Sequence, residues 1–162
     1  MYKLILFLLA AVLIMTLQAI QLDTEAAVHT LFRAKQAVNR AAHAGAQQLN
    51  TERLAAGAYA IDPAEAERQA RLYLQGNLGL DADLAPLPGA FLQSRVEWLV
   101  FDVVNEDRTF PYAYANDAYD FEAVLNRPGV VLMIRLEYPR TYAILPPISW
   151  VIKGVAELTA PY

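Results

Sequence analysis

The sequence predicts an α+β fold. A long N-terminal helix, apolar in its first part and stalk-like in its second, precedes a small head with one helix and a three- to four-stranded antiparallel sheet. Three observations carry this expectation. Leu4–Ile20 is a run of 17 residues without a charge. From Gln21 to about Asn50 there is no proline, and alanine dominates. After Gly89 the apolar residues recur with period two rather than 3.6. The expected division is residues 1–55 for the helix and stalk and 56–162 for the head.

Within Leu4–Ile20 only Thr16 and Gln18 are polar. At about 1.5 Å per residue the run spans roughly 25 Å, the short end of a bilayer crossing. Lys3 precedes it, and Asp23 and Glu25 follow. The positive-inside tendency then places the N-terminus in the cytoplasm and everything after about residue 22 outside. A cleaved signal peptide shares the short basic start and apolar core, with Leu17-Gln18-Ala19 as a tolerable cleavage site. The expectation here is retention. A retained helix must bury Leu4, Leu6, Phe7, Leu8, Leu9, Val12, Leu13, Ile14 and Leu17 in lipid or among similar helices.

Beyond the apolar run, alanine favours continued helix and leaves little bulk on the surface. Ala27, Leu31, Ala34, Val38, Ala41 and Gly45 form a seam of small or apolar residues spaced four, three, four, three, four. Such a seam lets another helix approach closely. One helix from about residue 3 to about residue 54 is expected. It is either a membrane anchor carrying a stalk or a filament subunit whose apolar part moves from bilayer to a helix-packed core.

Asp62-Pro63-Ala64-Glu65 reads as a helix start: Asp62 as N-cap, Pro63 at N1 and Glu65 at N3 in a capping box. This helix should end near Gln75 with Gly76 as its cap, burying Ala66, Ala70, Tyr73 and Leu74. Strands are expected over Phe91–Val104, about Asp120–Leu125, Val130–Tyr138 and about Ser149–Thr159. In the third, Val130, Leu132, Ile134, Leu136 and Tyr138 should face inward. Phe110 to Tyr119 reads as a tyrosine-rich loop. Tyr112, Tyr114 and Tyr119 there, with Tyr142, Ile144, Leu145 and Ile148 in the later proline-bounded loop, are candidate subunit contacts. A cap on the sheet core is an equal reading of the aromatic loop.

Composition removes several function classes. The chain has no cysteine, so disulfides, thiolate metal sites and cysteine nucleophiles are excluded. The net charge of -4 gives no support to nucleic-acid binding. His29 and His43 lie about 21 Å apart along one helix, too far to share a metal. Ser94 and Ser149 sit in no nucleophile motif, and no glycine-rich phosphate loop occurs. Asn116, Asp117, Asp120 and Glu122, or Asp102, Asn105, Glu106 and Asp107, could offer calcium oxygens. Neither group has EF-hand spacing, and solvated acidic loops are the expectation. No catalytic residue, cofactor or metal site is expected. Residues up to Asn50 carry four basic against two acidic groups, and the remainder nine against fifteen. A basic stalk and acidic head suit attraction between neighbouring copies and equally suit solubility alone.

The order of short basic start, apolar helix, stalk and small αβ head resembles the type IV pilin superfamily. Arg33-Ala34-Lys35-Gln36-Ala37-Val38-Asn39-Arg40-Ala41-Ala42-His43-Ala44-Gly45-Ala46 resembles the post-membrane segment of TadE-like pilus-assembly pseudopilins. Asp62–Tyr73 and the closing strands resemble their second helix and final hairpin. The sequence departs from the family pattern in two places. Ile5 stands where a glutamate is usual, and no glycine cleavage point precedes the apolar run. The resemblance therefore implies neither prepilin-peptidase processing nor the usual pairing of that glutamate. It does imply a non-enzymatic subunit that inserts in the inner membrane, engages a pilus-assembly machine and polymerises as a helical homo-oligomer. The expected product is an extracellular filament at the cell surface, suited to adhesion. The alternative is a single-span adaptor or minor pseudopilin that does not itself form the filament.

Overall fold

A computed structural model describes residues 2–140 and 146–159. The fold is α+β, as the sequence predicts. Helix α1 (Tyr2–Ala46) is followed by α2 (Thr51–Ala55), α3 (Pro63–Leu78), β1 (Glu97–Val104), β2 (Tyr112–Asn116), β3 (Phe121–Leu125), β4 (Gly129–Tyr138) and β5 (Ile148–Glu157). Strands β1, β4 and β5 form a three-stranded antiparallel sheet in the order β1-β4-β5. Strands β2 and β3 form a separate antiparallel pair.

Helix α1 runs unbroken for 45 residues, about 67 Å. It stops eight residues short of the expected end near residue 54. The Asn50 side chain accepts a hydrogen bond from Arg53 N–H and caps a new short helix instead. Leu49 forms a bridge with Ile61, and Asp62 N–H donates to the Gln48 carbonyl at 2.8 Å. The chain thus turns back at 47–50 and starts α3 alongside α1. The Asn105 side chain fastens this crossing. Its Oδ1 accepts from Ile61 N–H at 2.8 Å, and its Nδ2 donates to the Ile61 carbonyl at 3.0 Å.

Asp62 caps α3 through Ala64 and Glu65 N–H, both at 3.0 Å. The expected capping box is only half made. Asp62 N–H is already taken by Gln48, so Glu65 turns to Arg68 and Gln69. The helix also continues one turn past Gln75. Gly79, at φ 68°, provides the left-handed cap, not Gly76. The longer helix buries Ala66, Ala70, Leu74 and Leu78 and leaves Tyr73 half exposed.

Strand β1 begins at Glu97 rather than Phe91. The segment before it folds as a packed loop, with Val96 N–H bonded to the Leu84 carbonyl and Leu80, Leu84 and Leu92 turned into the core. A bulge between Trp98 and Val100 then switches which side chains face the helices. Trp98, Phe101 and Val103 pack toward α1 and α3, while Leu99, Val100 and Val104 pack on the other side.

The sheet is covered on both faces. Helices α1 and α3 cover one, where Val130, Leu132, Ile134 and Leu136 of β4 meet Ala34, Val38, Ala41 and Leu74. The β2–β3 hairpin covers the other, where Val131 and Met133 meet Tyr114 and Leu125. Full burial of β4 from Gly129 to Ile134 follows from this three-layer arrangement. The segment read as an aromatic loop contains strand β2. Tyr112 and Tyr114 face inward while Ala113 and Ala115 face solvent.

Candidate functional site

The described residues contain no group of three or more histidine, aspartate or glutamate side chains gathered to hold a metal. Several groups of the two calcium-like segments are engaged separately, with no shared centre among them. Tyr114 donates its hydroxyl proton to Asp102, and Glu106 pairs with Arg53 at 2.6 Å. Asn105 holds Ile61, and the Asp120 main-chain carbonyl accepts from Lys153 at 2.9 Å. His29 and His43 are both exposed on α1.

Burial and the carboxylate of Asp102 push the Tyr114 phenol up to about 12. Ionisation of Tyr114 should therefore appear as a late absorbance step, near pH 12, in an ultraviolet pH titration. Its neutral form is favoured by the fold, so its contribution to stability is intact below about pH 10 and is lost as pH rises toward 12. Tyr114→Phe should remove the late absorbance step and flatten the alkaline loss of stability.

The apolar rod is the feature that dominates the surface. Twelve large apolar side chains between Tyr2 and Leu17 are each 56% to 76% exposed. They include Leu4, Leu6, Phe7, Leu8, Leu9, Val12, Leu13, Ile14 and Leu17, and none touches the head core. Thr16 and Thr24 return their hydroxyl protons to the carbonyls of Val12 and Ile20, four residues back. Those hydroxyls therefore need no outside partner in an apolar medium. Helix α1 is long and apolar enough to cross a membrane.

The seam residues face inward along the upper part of the same helix. Ala27, Ala34, Val38, Ala41 and Gly45 are buried and Leu31 is half-buried. They meet this chain's own head. A Cβ on Gly45 would lie 3.0 Å from the Ala66 carbonyl oxygen of α3, and one on Gly154 would lie 2.7 Å from Val38 Cγ1. The small residues let α1 lie close to both α3 and β5.

At the lower end of the head, just past the apolar run, Asp23 is only 2% exposed. Arg140 Nη1 donates to its Oδ2 at 2.9 Å, and Tyr138 donates its hydroxyl proton to Oδ1 at 3.3 Å. Arg140 Nε also donates to the Pro146 carbonyl. Trp150 stacks on Tyr138 at 6.2 Å between ring centroids. This ion pair ties the helix to the end of β4 at the point where the rod leaves the head. Sequence reading treated Asp23 only as an acid flanking a membrane span. Nothing in local pattern links it to a residue 117 positions away.

Of the candidate contact residues, Tyr114 is buried and Tyr112 and Tyr119 are half-buried. All three pack with Phe110 and Phe121 beneath the sheet. Ile148 opens β5 and is half-buried. Tyr142, Ile144 and Leu145 lie outside the described residues. Comparison with known proteins finds no matching family model, no matching curated protein and no matching solved structure. A functional reading therefore rests on the rod, the head that closes on its upper half, and the surfaces both leave open.

Proposed function

We propose that this protein is a structural subunit, pilin-like in plan, that is held in a membrane by α1 and then polymerises into an extracellular filament. The observation that carries this reading is the unpartnered rod. Removing its twelve exposed side chains from water is worth on the order of 20–35 kcal/mol. That exceeds the usual stability of a whole domain, about 5–15 kcal/mol, so the rod does not stand free in water. A bilayer satisfies it before assembly. In a filament, copies of the same helix pack on one another, and van der Waals contact between them replaces lipid contact. The head is closed on both sheet faces and supplies the outer surface.

Phe7→Asp tests the reading. A carboxylate placed inside the apolar run costs up to about 2.5–3.5 kcal/mol in lipid and also sits badly in a dry helix-packed core. The expected result is loss of filaments from sheared surface material, scored by negative-stain microscopy and by pelleting. Phe7→Ala should keep the chain in the membrane while reducing filament yield. Filaments unaffected by Phe7→Asp would sink the proposal. An unaltered chain that stays a membrane monomer and never forms filaments would favour the single-span adaptor.

A further inference from the structure

Two open patches on the head complement one another. The first lies on α1, well above the membrane segment. Phe32 projects there 62% exposed, and Lys35 follows one turn later, exposed. They edge a shallow groove shared with Phe121, Val151 and Lys153. Lys35 donates to the Lys153 main-chain carbonyl and has no carboxylate partner among the described residues. Lys153 donates to the carbonyls of Tyr119 and Asp120 and likewise meets no carboxylate there. The groove is thus apolar, with two ammonium groups and no counter-charge.

The second patch is the outward face of the β2–β3 hairpin. Ala113 stands opposite Val124 and Ala115 opposite Glu122, and all four side chains face solvent. Val124 is 64% exposed, the largest value for any large apolar side chain outside the rod among the described residues. The two alanines and Ala123 leave a shallow depression beside it. Glu122 has no ion pair or side-chain hydrogen bond among the described residues.

We infer that the hairpin face of one copy docks on the Phe32–Lys35 face of a second copy, with Phe32 in the alanine depression beside Val124 and Lys35 paired to Glu122. This deepens the filament reading and rests on it. Spacing supports the pairing. Residues three apart on a helix lie about 5–6 Å apart, and residues two apart on a strand about 6.7 Å. An apolar contact and an ion pair can therefore form together. Charge supports it too: burial and the nearby Lys153 charge lower the Lys35 ammonium below the usual lysine range. An arriving carboxylate offsets both effects. Height argues against lipid as the occupant. Lys35 stands fifteen residues past Ile20, about 22 Å along the axis, whereas headgroups extend only about 5–7 Å beyond the hydrocarbon. Repeated head to tail, as the filament reading requires, the contact is heterologous and runs from copy to copy, whereas a reciprocal two-fold pair would stop at the dimer.

The absence of native cysteine makes the test direct. Phe32→Cys and Val124→Cys are placed in one full-length chain, and membranes and sheared surface material are oxidised and resolved without reductant. The expected result is a ladder in steps of about 18 kDa, extending past the dimer and absent from each single variant. Lys35→Glu and Glu122→Lys should each cut filament yield several-fold, and their combination should restore it. Filaments that persist without the ladder and ignore the charge swap would overturn the contact and leave the filament reading standing. Dimers from Phe32→Cys alone would overturn it in favour of helix-to-helix packing. Adducts of another mass would overturn it in favour of a foreign partner. No self-association by pelleting or microscopy would remove both readings together.

Discussion

Arg140→Ala is expected to lower the stability of the head by about 3–5 kcal/mol. The substitution removes the guanidinium that lies 2.9 Å from the Asp23 carboxylate, a side chain only 2% exposed. Tyr138 still donates to it, but a neutral hydrogen bond does not replace a buried counter-charge. Asp23→Ala should cost somewhat less, because the Arg140 side chain is 15% exposed and keeps its bond to the Pro146 carbonyl. Paired replacement by Asp23→Leu and Arg140→Met should return most of the loss, since apolar substitutes for a buried pair are often neutral or better. The exposed Arg95–Asp83 pair, 4.0 Å apart, serves as the contrast. Arg95→Ala should change stability by less than about 1 kcal/mol. Denaturant unfolding of the full chain in detergent, followed by tryptophan fluorescence, reads all of these. Trp150 stacks on Tyr138 beside the pair and so reports its surroundings. A change under about 1 kcal/mol for Arg140→Ala would show that water reaches Asp23 and that the pair does not hold the helix to the head.

What could be read from the sequence follows the range of the interaction. The rod and stalk were legible because composition and i, i+3, i+4 spacing act within a few turns. Strands β4 and β5 were legible because Val130–Tyr138 and Ile152–Leu158 alternate cleanly. The stop at Ala46 was not, because it depends on Leu49 meeting Ile61 and on Asn105 clasping Ile61 from 44 residues away. Strand β2 was legible in principle. Tyr112-Ala113-Tyr114-Ala115 alternates large and small, but Pro111 and Asn116-Asp117 on either side read as turn chemistry. Its consequence was larger than one strand. Tyr112, Tyr114 and Tyr119, candidate contacts on an open loop, turn instead to the inner side of the hairpin, whose outward face consists of alanines, Val124 and Glu122. Both surfaces of the inferred contact therefore depend on tertiary placement. In the sequence Phe32 carries no local signal, Lys35 is one residue of the Arg33–Ala46 segment, and Glu122 is one acid among several.

Gly154→Ala should destabilise the seat of the stalk on the sheet by about 1–3 kcal/mol. Gly154 lies in β5, where α1 crosses the sheet. A Cβ there would come within 2.7 Å of Val38 Cγ1, 3.3 Å of Asn39 Oδ1 and 3.3 Å of the Val38 carbonyl oxygen. Two effects oppose. Alanine restricts the unfolded chain and suits a strand better than glycine, worth about 0.5–1 kcal/mol in favour. Overpacking wins, because Val38 is fully buried and its branched side chain has little freedom to turn away. The Val38 backbone belongs to a helix pinned on its other side, where Gly45 abuts Ala66 of α3. Gly154→Val should exceed the alanine effect and partly undock α1. Proteolysis would then cut the stalk between the rod and residue 46, a region expected to resist in the parent. Val38→Ala opens space where the new methyl would sit, so the double variant Val38→Ala with Gly154→Ala should be more stable than the two separate losses summed, by about 0.5–3 kcal/mol. Strict additivity of the two would mean that the helix does not rest on β5 at this glycine, and the route by which the head fixes the direction of the rod would have to lie elsewhere.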